Sequence, residues 1–99
     1  MNKNTSLRFI ISYDISDQEN RDALTDFLRE NFPKSLTQLC ESTYSIKVRV
    51  NSSPSEYMQD LFKDLMEFVD EETDKLMLCQ SVGLLSNDKF KYPTNELTP

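Results

Sequence analysis

Between Tyr44 and Val69 the chain changes its hydrophobic period, and that change restricts the fold more than any single motif. Tyr44, Ile46, Val48 and Val50 alternate with Ser45, Lys47 and Arg49, the spacing of a strand that lays one face on a core and turns the other toward water. From Tyr57 the apolar residues recur at helical spacing through Met58, Leu61, Phe62, Leu65, Met66 and Val69, a stripe wide enough to require a sheet beneath it. The changeover is marked by Ser53 as N-cap, Pro54 at the first helical position and Glu56 closing a capping box.

The same two periods recur on either side. Leu7, Phe9, Ile11 and Tyr13 share one side of a strand and Ile10 makes the other side partly apolar, which predicts a central strand. Ser16, followed three residues later by Glu19, predicts a helix start, with Ala23, Leu24, Phe27 and Leu28 on its apolar face and Pro33 as its stop. Residues 34–40, with Leu36 and Leu39, predict a short strand joined by Glu41-Ser42 to the alternating one. After an acidic turn at residues 70–74, residues 75–82 predict a last strand with Leu76, Leu78 and Val82 facing one way and Met77 and Cys79 the other. Gly83 then permits a bend.

The expected class is α+β in the ferredoxin-like order β-α-β-β-α-β. Right-handed crossovers would place both helices on one face of a four-stranded antiparallel sheet. A length of 99 residues suits one domain, set here at 7–86, with a flexible N-terminus at 1–6 and a flexible or partner-docking tail at 87–99. Ile10, Met77 and Cys79 would lie on the uncovered sheet face, so a homodimer packed through that face or through the sheet edges is expected.

Composition removes several function classes. Eleven Lys and Arg against 17 Asp and Glu give a net charge of −6, which argues against a broad basic footprint for nucleic acid. A local strip such as Lys47 and Arg49, or a bridging divalent cation, would still allow contact with phosphates. The chain has no histidine, so imidazole catalysis and histidine metal ligation are excluded. One glycine leaves no Gly-rich phosphate loop and no dinucleotide fingerprint, and no organic cofactor is expected. The apolar runs are strand-sized and the N-terminus lacks a signal pattern, so a cytoplasmic protein without a membrane partner is expected. Cys40 and Cys79 each fall inside a predicted strand and are expected as two buried thiols.

Carboxylates are the remaining chemistry. Asp14 and Asp17 flank the end of the first strand, where oxygen ligands and water could hold a divalent cation. The plainer account is that Asp14 ends a strand and Asp17 meets the positive end of a helix dipole. Lys47 and Arg49 fit either a phosphate-contacting strip or a solvated strand. Asp70, Glu71, Glu72 and Asp74 fit a solvated loop, since the glycine and alternating ligands of a calcium loop are missing.

Tyr13-Asp14-Ile15-Ser16-Asp17 after an apolar strand, Arg21 in the first helix, Ser42-Thr43-Tyr44 and Asp74-Lys75-Leu76-Met77-Leu78 together resemble the small CRISPR-associated endoribonuclease-like family, the compact subunit that accompanies the integrase in spacer acquisition. The chain departs from that pattern at Phe32-Pro33-Lys34, where a glycine is usual, and at Glu41 before Ser42. The resemblance implies a homodimer whose two Asp14 carboxylates approach across the twofold axis to hold magnesium, with Ser42 lining the same cleft. It implies nucleic-acid contacts from Arg21, beside the strip of Lys47 and Arg49, and an extra C-terminal strand from residues 83–90 that extends the partner's sheet. The implied activity is magnesium-dependent endonuclease action in nucleic-acid processing or antiviral defence. The alternative is a non-catalytic acidic interaction module, an inhibitor or adaptor, that presents Glu41, Asp70, Glu71 and Glu72 to a basic protein partner. A third reading is a regulatory domain that binds a small effector at a dimer interface.

Overall fold

The computed structural model describes residues 5–81. In chain order the elements are β1 (Thr5–Asp14), α1 (Gln18–Asn31), β2 (Thr37–Cys40), β3 (Thr43–Val50), α2 (Pro54–Leu65), a single 3-10 turn at Met66–Phe68, and β4 (Lys75–Ser81). The four strands form one antiparallel sheet in the order β2-β3-β1-β4. The predicted fifth strand and the tail at 87–99 lie outside the described residues.

Register explains the layering. Phe9 stands opposite Ile46 on one side and Gln80 on the other, and Ile11 opposite Tyr44 and Leu78, so the odd positions of β1 share a face with the even positions of its neighbours. That face carries Leu7, Phe9, Ile11, Tyr13, Tyr44, Ile46 and Val50, packed with Leu24 and Leu28 of α1 and Leu61 and Leu65 of α2 in one core. Both helices therefore cover the same side of the sheet. Each fully buried leucine there contributes about 1.5–3 kcal/mol relative to an exposed one.

Most predicted boundaries stand within two residues, and the differences have local causes. β1 begins at Thr5, earlier than Leu7, because its pairing with β3 runs out to Val50. β2 begins only at Thr37, since Ser35 and Leu36 both donate their amides to the Phe32 carbonyl, at 3.3 and 3.0 Å, in a turn that consumes residues 33–35. α2 starts as predicted: Pro54 is its first residue and the Glu56 amide donates to Ser53 Oγ at 3.0 Å. α1 does not. Its N-cap is Asp17, whose side chain makes no capping bond, and the Ser16 amide and hydroxyl donate to Asp74 instead of taking part in a capping box.

The second sheet face also departs from the simple alternation. Arg8 and Ser45 are buried there and joined by a hydrogen bond from Arg8 Nη1 to Ser45 Oγ at 2.9 Å. The expectation of two buried thiols is overturned, for Cys40 and Cys79 are free and exposed. Cys40 follows a register shift at the end of the short β2, and Cys79 lies on the second face of the outer strand β4, so neither is covered by a helix. No helix among the described residues is long and apolar enough to cross a membrane.

Candidate functional site at the tip of the central strand

β1 is flanked on both sides, by β3 and by β4, and its last residue, Asp14, projects from the middle of the sheet. Asp14 is exposed and pairs in register with Lys75. Among the described residues no side chain or amide donates to its carboxylate, so that carboxylate is available to an external ligand.

Two hollows meet at Asp14. One, of about 740 Å³, is polar and is lined by Asp14, Arg21, Asp22, Arg29, Glu41 and Ser42 together with the rings of Tyr13 and Tyr44. Its acidic and basic groups nearly balance, unlike the chain as a whole. The other, of about 680 Å³, is apolar and shallow, running from Asp14 along β4 past Phe62, Met66, Val69, Leu76 and Met77. Phe62 and Met77 are its exposed apolar groups, at 37% and 56%.

The wall beneath Asp14 is stiff. The Tyr13 amide donates to the Ser42 carbonyl at 3.1 Å, which ties the tip of β1 to the β2–β3 turn. The Tyr13 and Tyr44 rings stack with centroids 6.3 Å apart. Burial, followed by the neighbouring Tyr44, pushes the Tyr13 phenol up to about 12, so it stays protonated at neutral pH.

The turn that follows Asp14 is held at two points. Arg21 Nη1 donates to the Ile15 carbonyl at 2.7 Å and to the Ser16 carbonyl at 3.1 Å, and its other terminal nitrogen donates to the Gln18 side chain. On the opposite side, Asp74 Oδ1 accepts from the Ser16 amide and hydroxyl, both at 3.1 Å, and Oδ2 accepts from the Asp70 amide at 2.9 Å. The bonds from the Asp70 and Ser16 amides hold the Asp74 carboxyl below the usual carboxylate range.

Of the residues singled out by sequence, Asp14, Arg21 and Ser42 therefore lie on one cleft. Lys47 and Arg49 do not. Lys47 stands opposite Arg8 and Arg49 opposite Ser6. Six to eight residues of extended β1 separate those positions from Asp14, about 20–26 Å along the strand. Asp17 sits at the N-cap of α1, outside the set of residues that line either hollow.

Magnesium suits oxygen donors, and Asp14 offers them. Among the described residues no group of three or more Asp, Glu, Cys or His side chains is gathered to hold a metal ion, although Asp22 and Glu41 line the same hollow as Asp14. A divalent cation at Asp14 would therefore take much of its coordination from water or from groups outside the described residues.

Sequence reasoning missed Arg29 and Asp22 as walls of the polar cleft and the Ser16–Asp74 link. Helical spacing from Arg21 could have found Arg29, two turns further on the same side of α1. The link spans 58 residues and has no local signature.

Comparison with known proteins adds the fold alone. A crystal structure of a hypothetical protein, TT1823, from Thermus thermophilus superposes with a TM-score of 0.66 at 19% sequence identity, over 90% of this chain and 99% of that one. No protein-family model matches the chain, and no curated protein matches it.

Proposed function

We propose that the chain adopts a ferredoxin-like fold and works as a homodimer in which two Asp14 carboxylates share one magnesium ion for phosphodiester hydrolysis, in nucleic-acid processing or defence. The observation that carries this reading is the exposed, unengaged Asp14 at the tip of the central strand, on a turn braced from both sides by Arg21 and Asp74. The resemblance of residues 13–17, 42–44 and 74–78 to the small CRISPR-associated endoribonuclease-like family supports it.

In this reading each copy brings one carboxylate, and the symmetry of the dimer brings them together. Bound magnesium supplies polarisation of a phosphate oxygen and a nucleophilic water. The chain's own residues do the placing. Arg21 donates to the Ile15 and Ser16 carbonyls in the turn after β1 and so steadies the direction in which the chain leaves Asp14. Ser42, on the same cleft, offers a hydroxyl to a phosphate, and Arg29 offers a cation near it.

The test is a panel of RNA and DNA substrates with and without magnesium, using the natural chain and Asp14→Asn. The substitution is isosteric and exposed, so folding is expected to be unchanged, while cleavage falls about tenfold to a hundredfold or more. Cleavage that survives the substitution, or a chain that light scattering finds monomeric, would overturn the reading.

A second reading is the acidic interaction module. It is favoured by the net charge of −6 and by the separation of Lys47 and Arg49 from the Asp14 cleft, which denies a phosphate chain a continuous basic track.

A further inference from the structure

Away from Asp14, a third hollow of about 280 Å³ lies between the end of α1 and the middle of α2, lined by Phe27, Asn31, Phe32, Tyr57, Asp60 and Asp64 among others. It combines three aromatic rings with two carboxylates, and no Lys or Arg lines it. The rings are anchored by other core partners. Tyr57 stacks on Phe9 with centroids 5.6 Å apart, and Phe27 leans on Phe68 at 5.7 Å. Asn31 Nδ2 donates to the Phe27 carbonyl at 2.8 Å, closing the last turn of α1 beside the hollow.

The carboxylates are exposed, and among the described residues neither takes part in an ion pair or a side-chain hydrogen bond. The Tyr57 phenol is raised by burial and then by the charge of Asp64, so the negative field of α2 reaches into the aromatic wall. A cation over aromatic rings gains from the ring quadrupole as well as from nearby carboxylates. A phosphate would be repelled here. A bare metal ion would find two carboxylates and no third ligand of its kind among the described residues. An alkyl cation matches both halves of the lining.

We propose that this hollow receives one basic side chain of a protein partner, an arginine guanidinium or lysine ammonium, with its stem against Phe27, Phe32 and Tyr57 and its charge between Asp60 and Asp64. The inference rests on the acidic-module reading and deepens it by giving that module a specific docking point.

The experiment uses the full isotope-labelled chain, titrated with the acetylated amides of arginine and lysine and, as neutral controls, of citrulline and norleucine. The cationic probes are expected to shift the amide resonances of residues 27–32 and 57–64, with affinity roughly threefold to tenfold above the neutral ones from the ion-pair and ring contributions together. Asp60→Asn together with Asp64→Asn removes that advantage while resonances elsewhere stay in place, since both side chains are exposed. Equal binding of the neutral probes would overturn the hollow as a cation site. Shifts centred on residues 70–74 would also overturn it, while leaving the acidic module intact. An oligo-arginine peptide that perturbs no resonance would overturn both.

Discussion

The two helices begin in different ways. α2 caps itself: Ser53 Oγ accepts from the Glu56 amide three residues on, and Pro54 pre-sets the first turn. α1 begins without a side-chain cap, and the residue ahead of its N-cap, Ser16, is bound to Asp74 at the entrance to β4. The first start is specified by neighbours in sequence and can form early. The second combines local bonds from Arg21 with a long-range one from Asp74 in the α2–β4 loop. The difference places the long-range dependence beside Asp14, where a candidate ligand site needs a fixed turn, and leaves the remote helix to local rules.

The largest expected effect removes the floor common to both. Leu24→Ala under α1 and Leu65→Ala under α2 each delete a fully buried side chain, and each should cost about 2–5 kcal/mol in urea unfolding. A loss well below that range at either position would place that leucine outside the shared core. Ser53→Ala should cost about 1 kcal/mol and leave the resonances of residues 14–17 unmoved. Movement there would show that the α2 start is not local after all.

Asp74→Asn should have the smallest effect on the urea midpoint, because its bonds are exposed, and the largest on the amide resonance of Ser16. Its pH dependence has a definite sign. A carboxyl whose folded pKa is depressed adds stability above its unfolded value near 3.8 and loses it as pH falls through the folded value. The gap between the natural chain and Asp74→Asn should therefore hold steady at neutral pH and close in acid below 3.8. A gap that persists in acid would assign the stability to something other than this carboxylate.

Features with a local signature were readable from the residues: the alternation of Tyr44 to Val50, the capped start of α2, and the halt of α1 before Pro33. Features that depend on contacts across the chain were not. Ser16 carries the capping-box spacing, yet a carboxylate far away in sequence is a better acceptor for its donors than an adjacent amide is a partner. Arg8 occupies a position that alternation assigns to water, and is buried with Ser45 instead. The two cysteines have strand-like surroundings, but burial depends on which strand lies outermost, a fact of sheet order. The candidate site was half legible for the same reason. Asp14, Arg21 and Ser42 converge because β1 ends where the β2–β3 turn closes, whereas Lys47 and Arg49 share a strand with that turn and point up its far end.

The two rims of the sheet are unequal. β2 is four residues long, follows a proline turn and shifts register between Gln38 and Cys40, so its outward amides and carbonyls present no straight ladder. β4 is seven residues long and pairs evenly with β1 along its length. Among the described residues the regular margin is therefore that of β4, which runs beside Met77 and ends next to Asp14. A strand laid against β4 would thus sit within reach of the acidic tip.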